Sequence, residues 1–146
     1  MKRLILILAT ACAFGAVTAY AHSYKLGAIQ IGHTWTTPTP VGATEAGIYM
    51  PLLNNGADAD TLISASSPMA ASVEIRQTAA DAKGAPQKLD GLKLAPNAPI
   101  ALRPGGTYLE VVGLKKPLAD KDRLPLTLKF EKAGSIDVEV MVGAPH

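Results

Sequence analysis

Tyr108 and Glu110 lie two residues apart in the stretch R-P-G-G-T-Y-L-E-V-V-G-L-K-K-P-L, Arg103 to Leu118. Residues at i and i+2 of a strand share a face, so a phenol and a carboxylate are aimed at one place. Other candidate chemistry is sparse. The histidines are His22, His33 and His146. His22 could chelate Cu(II) with its imidazole and a free α-amine if the mature chain began there. His33 stands beside Trp35 and is either a metal ligand or a hydrogen-bonding structural residue. His146 ends the chain. Among the methionines, Met50 and Met141 fall in predicted strands and read as packing residues, while Met69 follows Pro68 in a loop and reads as exposed. There is no G-x-S-x-G elbow and no catalytic constellation stands out, so the expectation is that the protein is not an enzyme. Asp58 and Asp60 flank a turn and read as solvated.

The elements that must carry these residues are short strands. Eleven prolines and thirteen glycines punctuate runs of Val, Ile, Leu and Thr. Close turn spacing of this kind predicts an all-β sandwich or barrel. Strands are predicted at residues 24–31, 47–53, 61–65, 72–77, 100–102, 107–112, 124–131 and 135–142. Pro104-Gly105-Gly106 is a turn feeding the strand of Tyr108, and Gly113 closes that strand. Asn54-Asn55-Gly56 is a second turn. Residues 35–43 and 78–88 read as loops.

Residues 1–21 read as a secretory signal peptide. Lys2 and Arg3 precede the apolar run Leu4–Val17, and Ala19-Tyr20-Ala21 is a small-x-small cleavage site. Of 146 residues, a 21-residue leader leaves 125, one domain spanning 22–146. The only cysteine, Cys12, falls in the leader, which excludes a disulfide or thiolate metal site from the mature domain. Losing Lys2 and Arg3 takes Lys+Arg from 14 to 12, equal to the 12 Asp+Glu. A neutral domain gives no reason to expect a nucleic-acid surface. The expected location is the periplasm, with no stable membrane insertion after cleavage.

Several blocks, in order, resemble the periplasmic copper chaperones of the PCu(A)C type. They are G-H-T-W (32–35), G-I-Y-M-P-L-L-N-N-G (47–56), D-T-L-I-S-A-S-S-P-M-A (60–70), V-E-I-R (73–76), L-R-P-G-G (102–106), G-L-K-K-P-L (113–118) and L-T-L-K-F-E-K-A-G (126–134). The resemblance implies a cupredoxin-like Greek-key β-sandwich. It also implies a Cu(I) site of two histidines and two methionines that passes copper to a cytochrome oxidase centre. Carried over residue by residue, the histidine of the family's V-E-L-H block falls on Arg76. Its first methionine falls on Gln87 or Lys88. The histidine and methionine of its P-G-G-x-H-x-M block fall on Tyr108 and Glu110.

None of these is a Cu(I) ligand. Guanidinium offers no lone pair, carboxylate is hard, and phenol is protonated. The expectation is that an Arg76–Glu110 ion pair, with Tyr108 beside it, replaces the metal site. Family membership supports two functions, ahead of a third reading as a periplasmic enzyme. One is a copper-chaperone-family protein that delivers copper to cytochrome oxidase through a non-standard site built on His22, with His33 or Met69. The other is a metal-free binding or scaffold module for a copper-trafficking or oxidase-assembly partner.

Overall fold

The computed structural model describes residues 23–143. The expectations for the leader, for His22 and for His146 lie outside the described residues. All regular structure within them is β, in thirteen strands. These are β1 (Tyr24–Leu26), β2 (Ile29–Ile31), β3 (Trp35–Thr36), β4 (Glu45–Ile48), β5 (Met50–Asn54), β6 (Asp60–Ser66) and β7 (Ala70–Gln77), followed by β8 (Gln87–Leu89), β9 (Leu92–Leu94), β10 (Ile100–Leu102), β11 (Thr107–Leu114), β12 (Arg123–Phe130) and β13 (Gly134–Val142). The expected all-β class holds.

A four-stranded sheet has the order β1-β2-β5-β10. A larger sheet runs β3-β13-β12-β6-β7-β11-β4, with β8 paired to β7 and β9 to β6. Trp35 and Tyr49 join its two ends by reciprocal backbone hydrogen bonds, Trp35 N–H to Tyr49 O at 3.0 Å and Tyr49 N–H to Trp35 O at 2.9 Å. That single bridge brings the larger sheet close to closure and leaves little free edge there.

Alternation decides which side chains enter the core. In β13, Val138, Val140 and Val142 are buried, while Asp137 and Glu139 face outward. In β12, Leu124, Leu126, Leu128 and Phe130 do the same. Leu109 and Val111 of β11 and Ile75 of β7 point inward, which sends Tyr108, Glu110, Glu74 and Arg76 to the outer face. Full burial of one such Leu or Phe side chain stabilises by about 1.5–3 kcal/mol.

Several predicted boundaries change. The first predicted strand is a hairpin, β1 and β2, because Gly27 turns the chain at φ +56°. The second divides at Tyr49: β4 stays in the larger sheet and β5 enters the smaller one. Gln87 and Lys88 leave the predicted loop and, with Leu89, pair with β7. Thr107–Leu114 runs on through Gly113 at φ +69°, because Leu114 still pairs with Ala70. Asp58 is exposed as expected, but Asp60 is buried at 6 % exposure. Its carboxylate accepts from Thr61 N–H at 2.7 Å, Lys132 N–H at 2.9 Å and Ala133 N–H at 2.9 Å. It ties β6 to the β12–β13 turn, so its role is structural.

Candidate functional site

The Pro-Gly-Gly turn is built as its residues require. Gly106 N–H donates to Arg103 O at 3.1 Å, and Gly105, at φ +78°, occupies the position where only glycine is unstrained. Arg103 N–H donates to Thr107 O at 2.9 Å, which starts β11 in register. From there Tyr108 stands opposite Arg76 and Glu110 opposite Glu74. On the far side of β7, Lys88 stands opposite Arg76, and Gln87 opposite Gln77. The strand register therefore sets Lys88, not Gln87, beside Arg76.

The centre of this face is an ionic cluster. Arg76 Nε lies 2.5 Å from Glu110 Oε2. Arg76 Nη2 lies 2.5 Å from Glu74 Oε2, and Nε also donates to that oxygen at 3.0 Å. Lys88 Nζ approaches Glu74 Oε1 at 3.5 Å. The expected Arg76–Glu110 pair is present. Glu74 was not anticipated, although it shares a strand face with Arg76 in the alternation of β7. Exposure of the three central side chains is 27 % for Arg76, 21 % for Glu74 and 16 % for Glu110. The cluster is therefore more shielded from water than an ordinary surface bridge such as Arg123–Glu139, at 55 % and 47 %.

The two carboxylates differ. The hydrogen bond from Arg76 holds Glu74 below the usual carboxylate value, with Lys88 helping. Burial pushes Glu110 up, and the negative charges of Glu45 and Glu74 add to this against the pull of Arg76. Burial also raises Tyr108, as does the Glu110 charge. Burial alone raises Tyr49. Both phenols are neutral at physiological pH.

An aromatic row borders the cluster. Trp35 and Tyr49 have ring centroids 4.7 Å apart, and Tyr49 and Tyr108 6.4 Å apart. Trp35 is fixed by its buried neighbours: Thr34 Oγ1 donates to Glu139 O and Thr36 Oγ1 to Gly47 O, each at 2.6 Å. Met141 pairs with Trp35 in parallel register. Gly47 leaves room for the Tyr49 ring, since a Cβ there would lie 2.3 Å from Tyr49 Oη. A row of Met141, Trp35, Tyr49, Tyr108 and Arg76 thus crosses adjacent strands, every member half-buried. The sequence signal for Tyr49 was its outward place in the alternation of residues 47–50.

The Arg76 end of this face does not suit Cu(I). Its donors are two hard carboxylates already engaged by a guanidinium, and two protonated phenols. No group of three or more His, Cys, Asp or Glu side chains capable of holding a metal occurs among the described residues. His33 is half-buried between β2 and β3. Met69 is half-buried and packs against the core, so it is not the exposed thioether expected; Met50 is core.

The fold is that of a PCuAC-type domain. The copper-bound PCuAC domain from PmoF2 superposes with a TM-score of 0.74 at 31 % identity, over 85 % of this chain and 99 % of that one. The apo PCuAC domain from PmoF1 gives 0.75 at 30 %, over 85 % and 100 %. DR1885 from Deinococcus radiodurans, in its Cu(I) form, shares the fold at 0.64 and 22 % identity, over 87 % and 84 %. A Leifsonia xyli subsp. xyli protein described as "Putative lipoprotein Lxx21020" is 25 % identical over 141 residues, 94 % of this chain and 84 % of its own length. Residues 29–142 match the family described as "Putative lipoprotein LpqE-like", and the chain belongs to this family of PCuAC-type domains.

Proposed function

We propose that this is an extracytoplasmic copper-chaperone-like protein that does not carry Cu(I) on the Arg76–Tyr108–Glu110 face and uses that face to dock a partner in copper trafficking or cytochrome oxidase assembly. The observation that carries the reading is the Arg76 guanidinium held between Glu74 and Glu110. Arg76 and Glu110, with Tyr108 beside them, fall on positions of the copper ligands that the resemblance implies. A fixed cation repels a cuprous ion, and its partners are the wrong donors. The lipoprotein family and the leader-like N-terminus support an extracytoplasmic location. Docking is supported by residue type. Trp, Tyr and Arg dominate binding hot spots, and Trp35, Tyr49, Tyr108 and Arg76 stand here side by side.

A second reading keeps copper as cargo at a displaced site, the His22 imidazole and α-amine with His33. It is favoured by the copper-bound PmoF2 domain, the relative at 31 % identity. One experiment separates the two. Residues 22–146 are titrated with Cu(I) and Cu(II) against a competing chelator. The docking reading expects no Cu(I) retention, and oxidase copper loading that fails with Trp35→Ala or Tyr108→Ala. Cu(II) binding abolished by one residue added before His22 would establish the displaced site instead. Cu(I) binding lost on substitution of Glu74 or Glu110 would sink the docking reading.

A further inference from the structure

The turn between β5 and β6 carries Asn54-Asn55-Gly56. An asparagine before glycine is prone to lose its side-chain amide, because glycine has no Cβ to hinder attack by its own backbone nitrogen. Asn55 is exposed, so water reaches it. The attacking nitrogen, however, is occupied: Gly56 N–H donates to Asn54 Oδ1 at 2.9 Å.

Asn54 cannot release that contact by turning its amide over. The side chain is 1 % exposed, and its Nδ2 donates to Asp58 O at 2.8 Å and to Leu94 O at 3.1 Å. A flipped amide would set oxygen against two carbonyl oxygens and NH2 against the Gly56 N–H. The neighbouring backbone is also pinned, with Asn55 N–H donating to Ala28 O at 2.9 Å. The position of a Gly56 Cβ lies 3.1 Å from Ala28 Cβ, so the turn is seated against the β1–β2 hairpin.

We propose that Asn55 is a site of spontaneous covalent modification gated by Asn54. When the turn opens, Gly56 N loses its proton and attacks Asn55 Cγ. The N–Cγ bond forms, the Cγ–Nδ2 bond breaks, and ammonia leaves a cyclic imide. Water then opens the imide at either carbonyl, giving aspartate or isoaspartate at position 55. No oxidant or enzyme is required. The product adds a carboxylate beside a cavity of about 260 Å³ whose lining includes Asp58, Asp60 and Lys132. The isoaspartate form also lengthens the main chain by one carbon, which pulls Gly56 from its partner. The isoaspartate form therefore keeps the turn open once formed, and the extent of conversion records how often this turn has opened.

The test uses the full chain, incubated at mildly alkaline pH and read by peptide mapping and isoaspartate labelling. Native protein is expected to convert at Asn55 at least about tenfold more slowly than urea-unfolded protein, the factor one ordinary hydrogen bond supplies. Gly56 N–H is expected to be protected from hydrogen exchange, and Asn54→Ser to speed both exchange and conversion. If that variant does not fold, wild type in sub-denaturing urea replaces it, where conversion should rise in proportion to Gly56 exchange. Equal rates in native and unfolded chains, or an unprotected Gly56 N–H, would overturn the proposal. So would conversion that fails to follow Gly56 exchange.

Discussion

Glu74 and Glu110 face each other directly across the β7–β11 ladder, two carboxylates in register. Like charges directly opposite destabilise a sheet, and here the guanidinium of Arg76 offsets them by contacting both. Arg76 does this from the adjacent row, where its own cross-strand partner is Tyr108. The pair and its counter-ion occupy the outer face of the same two strands, so the cluster is a property of the register and not of loop placement.

The two carboxylates respond to pH in opposite directions. Glu74 is held below its ordinary value. The stability it adds is present above its unfolded value and is lost as pH falls through its folded one. Glu110 is raised, with burial the first cause. It favours the folded state when protonated, and that contribution is lost as pH rises through its folded value. Glu110→Gln is therefore expected to leave stability at neutral pH unchanged or raised, by less than about 1 kcal/mol. Arg76→Gln leaves two facing carboxylates uncompensated and should cost roughly 1–2 kcal/mol, less than the loss of a fully buried pair's partner. Chemical denaturation across pH checks both. A Glu110→Gln variant less stable than Arg76→Gln at neutral pH would contradict the assignment.

If charge and donor type alone keep Cu(I) off this face, restoring soft donors should admit it. Arg76→His, Tyr108→His and Glu110→Met, with a methionine in place of Lys88, are expected to confer Cu(I) binding under a competing chelator. The methionine belongs at Lys88 because that residue pairs with Arg76, whereas Gln87 pairs with Gln77. The same set with methionine at Gln87 should bind more weakly. Chelator competition ranks the two, and equal affinities would show that β8 register does not place the fourth ligand.

Much of this was legible in residue order. Period-two alternation in β12 and β13 gave the strands and their buried faces, and the Pro-Gly-Gly turn gave the aim of Tyr108 and Glu110. The Arg76–Glu110 pairing was reachable because β7 and β11 correspond to recognisable blocks. Glu74 was missed because its partner stands on the same strand, and alternation says which face a residue takes but not which way a long side chain bends. Tyr49 was missed because a strand that changes sheets looks continuous in sequence. Asp60 was misread because a carboxylate in a turn is usually solvated, and nothing local shows that residues 132 and 133 return to bind it.

Asp60 gives the clearest stability test. Burial pushes its carboxyl up, but backbone N–H donors from Lys132, Thr61 and Ala133 outweigh this and hold it low. Asp60→Ala leaves those donors without their acceptor and should cost roughly 2–4 kcal/mol. Because the folded value is depressed, the contribution is present above about pH 4 and disappears as pH falls through the folded value. The difference between wild type and variant in urea denaturation should therefore shrink in acid. A difference that is constant from neutral to strongly acidic pH would rule out the ionised carboxylate as the stabilising group.

Gly47 tests whether the aromatic row is held in place. A Cβ at this position would fall 2.3 Å from Tyr49 Oη and 2.8 Å from its Cζ. Gly47 has no positive φ, so alanine is unstrained in the backbone and the clash with Tyr49 is the main effect. The Tyr49 ring must swing off the strand, at a cost of roughly 1–3 kcal/mol. Its centroid now lies 4.7 Å from that of Trp35, so the swing removes a contact from the only tryptophan in the chain. Gly47→Ala should therefore shift Trp35 fluorescence as well as lower stability. In Gly47→Ala combined with Tyr49→Ala the clash is gone, and the added cost of the alanine should vanish. An unchanged Trp35 spectrum in the single variant would show that the ring over Gly47 does not support Trp35.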